Sequence, residues 1–154
     1  MPPNSAPFTG GCQCGAVRFS VGRLGRGSIC HCRMCQKAFG SFFGPLITSF
    51  DVTWTRGAPK YFESSDKIQR GFCADCGTPL TYEGEDGMAV AAGAFDQPER
   101  LPPTVQYGTE SKLPFVDQLG ALEVILQEDD PDAERLRTLV SHQHPDHDTP
   151  RWPR

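Results

Sequence analysis

The sequence lacks any apolar run near the roughly 18 residues of a membrane-spanning helix. It also lacks a secretory signal's basic region and apolar core, since it opens Met1-Pro2-Pro3-Asn4-Ser5-Ala6-Pro7. Positive charge is not in excess: 15 Lys and Arg stand against 19 Asp and Glu, a formal net charge of −4 and a pI of 5.5. An acidic chain is a poor electrostatic partner for phosphate, so neither nucleic acid nor a membrane is expected as a partner. No internal repeat or low-complexity tract is present. Tryptophan and tyrosine are few, 2 and 3 against 10 Phe, and 38% of the 154 residues are hydrophobic. That suffices for one thin core in one domain. With 16 Gly and 14 Pro the chain reads as loop-rich. Small loop-rich domains commonly need a staple such as a structural metal.

Sulfur is what the sequence has instead. Seven cysteines fall in three clusters: Cys12-Gln13-Cys14, Cys30-His31-Cys32-Arg33-Met34-Cys35 and Cys73-Ala74-Asp75-Cys76. An odd count without an export signal favours thiols or metal over disulfides, and an intracellular, cytoplasmic setting. Seven divides into four, which close a tetrahedral zinc site, and three, which leave a position open. Cys73-x-x-Cys76 can aim both sulfurs at one point in a tight turn, helped by a left-handed Gly77. In an extended segment Cys12 and Cys14 would share a face. Cys30, Cys32 and Cys35 combine both spacings, so one metal could take all three. His31, adjacent to two of them, is not expected to reach the same ion and is expected in a supporting or surface position. Two blander readings stand beside this one: cysteines buried as small hydrophobes, and a second structural zinc completed by a distant residue.

The local pattern is mostly β. Val17, Phe19 and Val21 alternate with polar residues, and Gly22 to Ser28 reads as a glycine-rich loop. Met34 to Phe39 suits a short helix stopped by Gly40. Strand candidates follow at Phe42–Thr48 and Val52–Trp54. Two hairpins are expected, Tyr61-Phe62 with Ile68–Phe72, and Leu80–Tyr82 with Met88–Val90. Residues 115–127 are ambiguous between helix and strand. Asp130-Pro131 opens a helix expected to run to about residue 141. Phe39, Phe42 and Phe43 are expected in the core. The boundaries expected are a disordered lead over 1–8, a zinc-binding domain over 9–127, and a C-terminal helix with a polar tail over 128–154.

Three segments together resemble the glutathione-dependent formaldehyde-activating (GFA) family, which includes centromere protein V-type domains. They are Gly10-Gly11-Cys12-Gln13-Cys14-Gly15-Ala16-Val17-Arg18-Phe19, Cys30 through Lys37, and Arg70-Gly71-Phe72-Cys73-Ala74-Asp75-Cys76-Gly77-Thr78. The resemblance spans about residues 8–116, with weaker echoes at Ala92–Asp96 and Ser111–Phe115. It departs at Phe115, where the family often has Trp. It implies a β-tent, small antiparallel sheets folded over and stapled by zinc. It also implies two zinc ions: a structural one on Cys12, Cys14, Cys73 and Cys76, and a second, regarded as catalytic, on Cys30, Cys32 and Cys35. The activity implied is a carbon–sulfur lyase that joins a thiol, glutathione or similar, to formaldehyde or another small carbonyl, or the reverse. Arg33, Gln36 and Lys37 are candidates to stabilise charge nearby. A non-catalytic zinc-binding interaction module and a thiol-based sensor are the rival functions. Finally, His142-Gln143-His144-Pro145-Asp146-His147 spells a di-zinc hydrolase motif. It reads as a chance match in a mobile tail.

Overall fold

The computed structural model describes residues 7–152. Its strands are β1 (Phe8–Gly11), β2 (Arg18–Cys30), β3 (Gly44–Arg56), β4 (Lys60–Glu63), β5 (Gln69–Phe72), β6 (Pro79–Gly84), β7 (Gly87–Ala91) and β8 (Val105–Tyr107). They form one sheet in the order β1-β2-β3-β7-β6-β5-β4, with β8 beside β2. Every pairing is antiparallel except that of β8 with β2. Two short α-helices, α1 (Arg33–Phe39) and α2 (Ala133–Arg137), and several 3-10 turns, the longest at Val116–Ala121, accompany the strands. The mainly β fold with a short C-terminal helix is therefore present.

The sheet is not flat. β1 and β5 lie five positions apart in the strand order, roughly 24 Å in a flat sheet at the usual strand spacing. Yet Cys14, just after β1, has its sulfur 3.8 Å from that of Cys73, just after β5. The sheet must fold over on itself. Register shifts between Arg18 and Phe19 and between Leu24 and Gly27 mark irregularities in β2, the kind that bend a strand. Phe19, Val21, Ile47, Leu80, Val90 and Phe95 are buried inside the fold. The Phe19 ring packs edge-to-face on Trp54 and Phe95 at 6.0 and 5.3 Å, favoured aromatic geometry. Cys12 and Cys73 belong to the same buried cluster.

Both expected hairpins form, β4 with β5 and β6 with β7, the latter turning through Glu85-Asp86 between Gly84 and Gly87. Helix α1 forms as expected and ends on Gly40 at φ 57°. Five expectations need correcting. The expected lead lies outside the described residues through residue 6, while Phe8 already belongs to β1. Gly22–Ser28 is not a loop but the middle of β2, because its backbone finds partners on β3 and β8; pairing across the sheet overrides local glycine preference. In the ambiguous 115–127 stretch Val116–Ala121 is helical, a 3-10 turn, while residues 122–126 form no strand, having no strand beside them, and Leu122, Val124, Ile125 and Leu126 are exposed. Helix α2 stops at Arg137 with Leu139 and Val140 exposed. Its apolar stripe has little to bury against, and so short a helix has little intrinsic stability. Among the phenylalanines expected inside, Phe42 is exposed and packs edge-to-face on Phe115 at 5.0 Å, while Phe39 and Phe43 are half-buried.

Candidate metal centres

The fold-over joins the first and third cysteine clusters. The ligand atoms of Cys12, Cys14, Cys73 and Cys76 all lie within 4.8 Å of one another. Cys12 and Cys14 sulfurs are 3.6 Å apart, Cys14 and Cys73 sulfurs 3.8 Å. A tetrahedron built on Zn–S bonds of about 2.3 Å has edges of about 3.8 Å, so the four sulfurs fit a zinc ion. Two matching turns present them. Cys12 N–H donates to the Val17 carbonyl at 2.9 Å and Cys73 N–H to that of Thr78 at 3.0 Å. In each turn a glycine follows the second cysteine, Gly15 at φ 80° and Gly77 at φ 78°, a left-handed backbone that side chains disfavour. Cys12-x-Cys14 is thus a turn and not the extended segment expected. Backbone N–H of Val17 and the Thr78 hydroxyl reach the sulfurs of Cys12 and Cys76 at 3.2 and 3.1 Å. Burial raises the Cys12 thiol and pushes Cys14 up to about 12. Cys76, where hydrogen bonds centred on Thr78 outweigh burial, falls to about 6. Metal capture therefore displaces protons, and affinity rises with pH.

The tail expected to be mobile is docked over this group. His144 is buried; its N–H donates to the Gln13 carbonyl at 2.8 Å and its ring Nε2 pairs with Thr149 Oγ1 at 3.0 Å. Trp152 packs edge-to-face on that ring at 4.8 Å, and its indole N–H donates to the Cys14 carbonyl. Arg56 reaches the Thr149 carbonyl. Arg18, buried against expectation for a polar position of an alternating strand, grips Asp96 at 2.8 and 2.6 Å and Asp148 at 3.1 and 2.8 Å. The His-rich stretch gathers no metal-binding group among the described residues.

The second centre is local. Cys30 ends β2, Cys32 caps α1 by accepting the Cys35 N–H at 3.4 Å, and Cys35 lies in the first turn of α1. Their sulfurs lie within 4.8 Å of one another, and no fourth His, Cys, Asp or Glu joins them among the described residues. A cavity of about 720 Å³ opens beside all three, bounded further by Leu46, Arg70, Tyr82, Met88 and Tyr107, a volume typical of small-molecule sites. Burial raises Cys30 and pushes Cys35 up to about 12, against the opposing effect of Arg70. At Cys32 burial is outweighed by the Cys35 N–H, the neighbouring thiols and the Arg70 charge, and the thiol is lowered.

Of the expected supporting residues, His31 is buried, with Nε2 on the Gln106 amide oxygen at 2.8 Å. Gln36 is a bracket, donating from Nε2 to the carbonyls of His31 and Ser111 at 2.8 and 3.1 Å. Arg33 binds Gln36 at 3.1 Å, and neither Arg33 nor Lys37 lines the cavity. The cation that does face the cysteines is Arg70, its Nη2 3.4 Å from the Cys35 sulfur. The signal for it was slight: Arg70 stands three residues before Cys73, on a strand no local rule brings to α1.

A solved protein of Rhodobacter sphaeroides has a similar fold, with a TM-score of 0.52 at 20% identity over 64% of this chain and 98% of its own. Residues 7–111 match the family described as glutathione-dependent formaldehyde-activating enzyme. That span holds all seven cysteines and the strands that gather them, and the chain belongs to this family.

Proposed function

We propose that the chain is a zinc-dependent carbon–sulfur lyase that adds a thiol, glutathione or similar, to formaldehyde or another small carbonyl, and catalyses the reverse. The observation that carries this reading is the trio of Cys30, Cys32 and Cys35 on the wall of a substrate-sized cavity, with no fourth His, Cys, Asp or Glu beside them among the described residues. Residues 9–127 would be the catalytic zinc-binding domain and 128–154 an appended helix and tail. Cys12, Cys14, Cys73 and Cys76 would hold a structural zinc.

A zinc ion on the trio would supply Lewis acidity and lower the pKa of an incoming thiol. The remaining steps fall to the cavity. Leu46 and Met88 give it apolar surface against which a small carbonyl can lie, and Tyr82 offers a phenol on the same wall. As sulfur adds to the carbonyl carbon, a carbon–sulfur bond forms and the carbonyl π pair moves to oxygen, which takes a proton. The reverse step breaks that bond and returns the proton.

The test is Cys32→Ser, with metal counted and thiol–formaldehyde adduct formation followed by NMR. Turnover should fall by ~100-fold or more, since ligand geometry is altered directly where even outer partners are worth 10–100-fold. Unchanged turnover with unchanged metal content removes Cys32 from the reaction.

A further inference from the structure

Arg70 is buried, and among the described residues no carboxylate lies within ion-pairing distance of it. Its Nε donates to Ser64 Oγ at 2.9 Å, its guanidinium lies 5.1 Å from the Tyr82 ring centroid, and its Nη2 points at Cys35 Sγ at 3.4 Å. A guanidinium does not deprotonate in proteins, and a buried charge needs an opposite one. Among the described residues Cys35 is the one potentially anionic group to which it hydrogen-bonds. By contrast the other buried arginine, Arg18, has Asp96 and Asp148.

We infer that Arg70 is the charge partner of the three-cysteine centre and biases its open position toward an anionic sulfur ligand over a neutral one. Three thiolates around a divalent ion carry one net negative charge. With Arg70 alongside, the assembly is neutral before the fourth ligand arrives. A thiolate then enters a neutral site and not an anionic one, its proton having left for solvent. Strand β5 brings Arg70 to α1 across the fold-over, while Ser64 and Tyr82 fix the direction of its planar fork. The inference rests on the proposed thiol chemistry and names the residue that selects for it.

The experiment uses the full chain loaded with cobalt(II). The affinity of the second centre for 2-mercaptoethanol, which binds as a thiolate, and for imidazole, which binds neutral, is read from sulfur-to-cobalt charge-transfer and d–d bands. Arg70→Met should weaken thiolate binding by about tenfold or more, as loss of a unit charge a few ångströms away in a partly buried site predicts, and leave imidazole binding within about twofold. Arg70→Lys, which keeps the charge and loses the fork, should retain most of the thiolate preference. Equal weakening of both ligands in Arg70→Met, unchanged thiolate affinity in it, or a lysine variant that behaves like methionine would each overturn the inference. A wild-type spectrum unmoved by thiol would instead overturn the proposed function, which keeps the two failures apart.

Discussion

Arg18 shows how much one residue can organise. It is buried in the β2 face expected to alternate polar with apolar, and its guanidinium ties Asp96, beyond β7, to Asp148 in the C-terminal tail. Burial alone would raise the Asp96 carboxyl, but bonds from Arg18 and Thr9 outweigh it and hold the group below its ordinary 3.8. Asp96→Asn leaves Arg18 with only the more exposed Asp148 as counter-charge and weakens two charge-assisted hydrogen bonds, so it should cost about 2 kcal/mol in urea unfolding at neutral pH. The sign of the pH effect follows from linkage. A carboxyl depressed in the fold contributes its full stability above its unfolded pKa and loses it as pH falls through the folded value. The gap between wild type and Asp96→Asn should thus be constant above about pH 5 and close below pH 3.8; a gap that persists in acid would mean that Asp96 is not ionised in the fold.

Among the elements, the two tight hairpins and α1 were legible because their signals are local: Glu85-Asp86 between glycines, and a short helix closed by Gly40. The trio Cys30, Cys32 and Cys35 was legible from its local spacing, whereas the meeting of Cys12 and Cys14 with Cys73 and Cys76 was what the family resemblance implied. The long reach of β2 through Gly22–Ser28 was not, since its partners come from β3 and β8. Nor was the tail, where burial of His144 depends on a carbonyl at Gln13 and an indole at Trp152. A histidine-rich string looks the same in sequence whether it binds a metal, floats, or serves as packing. Its position makes it a cover for the four-cysteine group. Deleting residues 142–154 should speed zinc transfer from that group to a colorimetric chelator by about tenfold, the usual order for outer partners of a metal site. The second centre should release its ion at the wild-type rate. Identical transfer curves for both proteins would show the tail to be decoration.

For the whole molecule, the fold-over of the sheet sets the energetic scale. Small domains have about 5–15 kcal/mol of net stability, and a structural zinc site contributes on the order of 10 kcal/mol. With Cys12 and Cys73 inside the hydrophobic core, stripping metal from the four-cysteine group should abolish the cooperative thermal transition seen by calorimetry. An apo protein that melts sharply at the holo temperature would mean that packing alone closes the sheet.

The same closure sets an order of events during synthesis. Cys30, Cys32 and Cys35 leave the ribosome together and can seize an ion as soon as they emerge. Cys14 must wait for Cys73, 59 residues later, before its own site exists. Under the proposed zinc assignment the nascent chain would complete its three-cysteine centre while the sheet is still open, and the ion of the four-cysteine group would arrive later and close the fold.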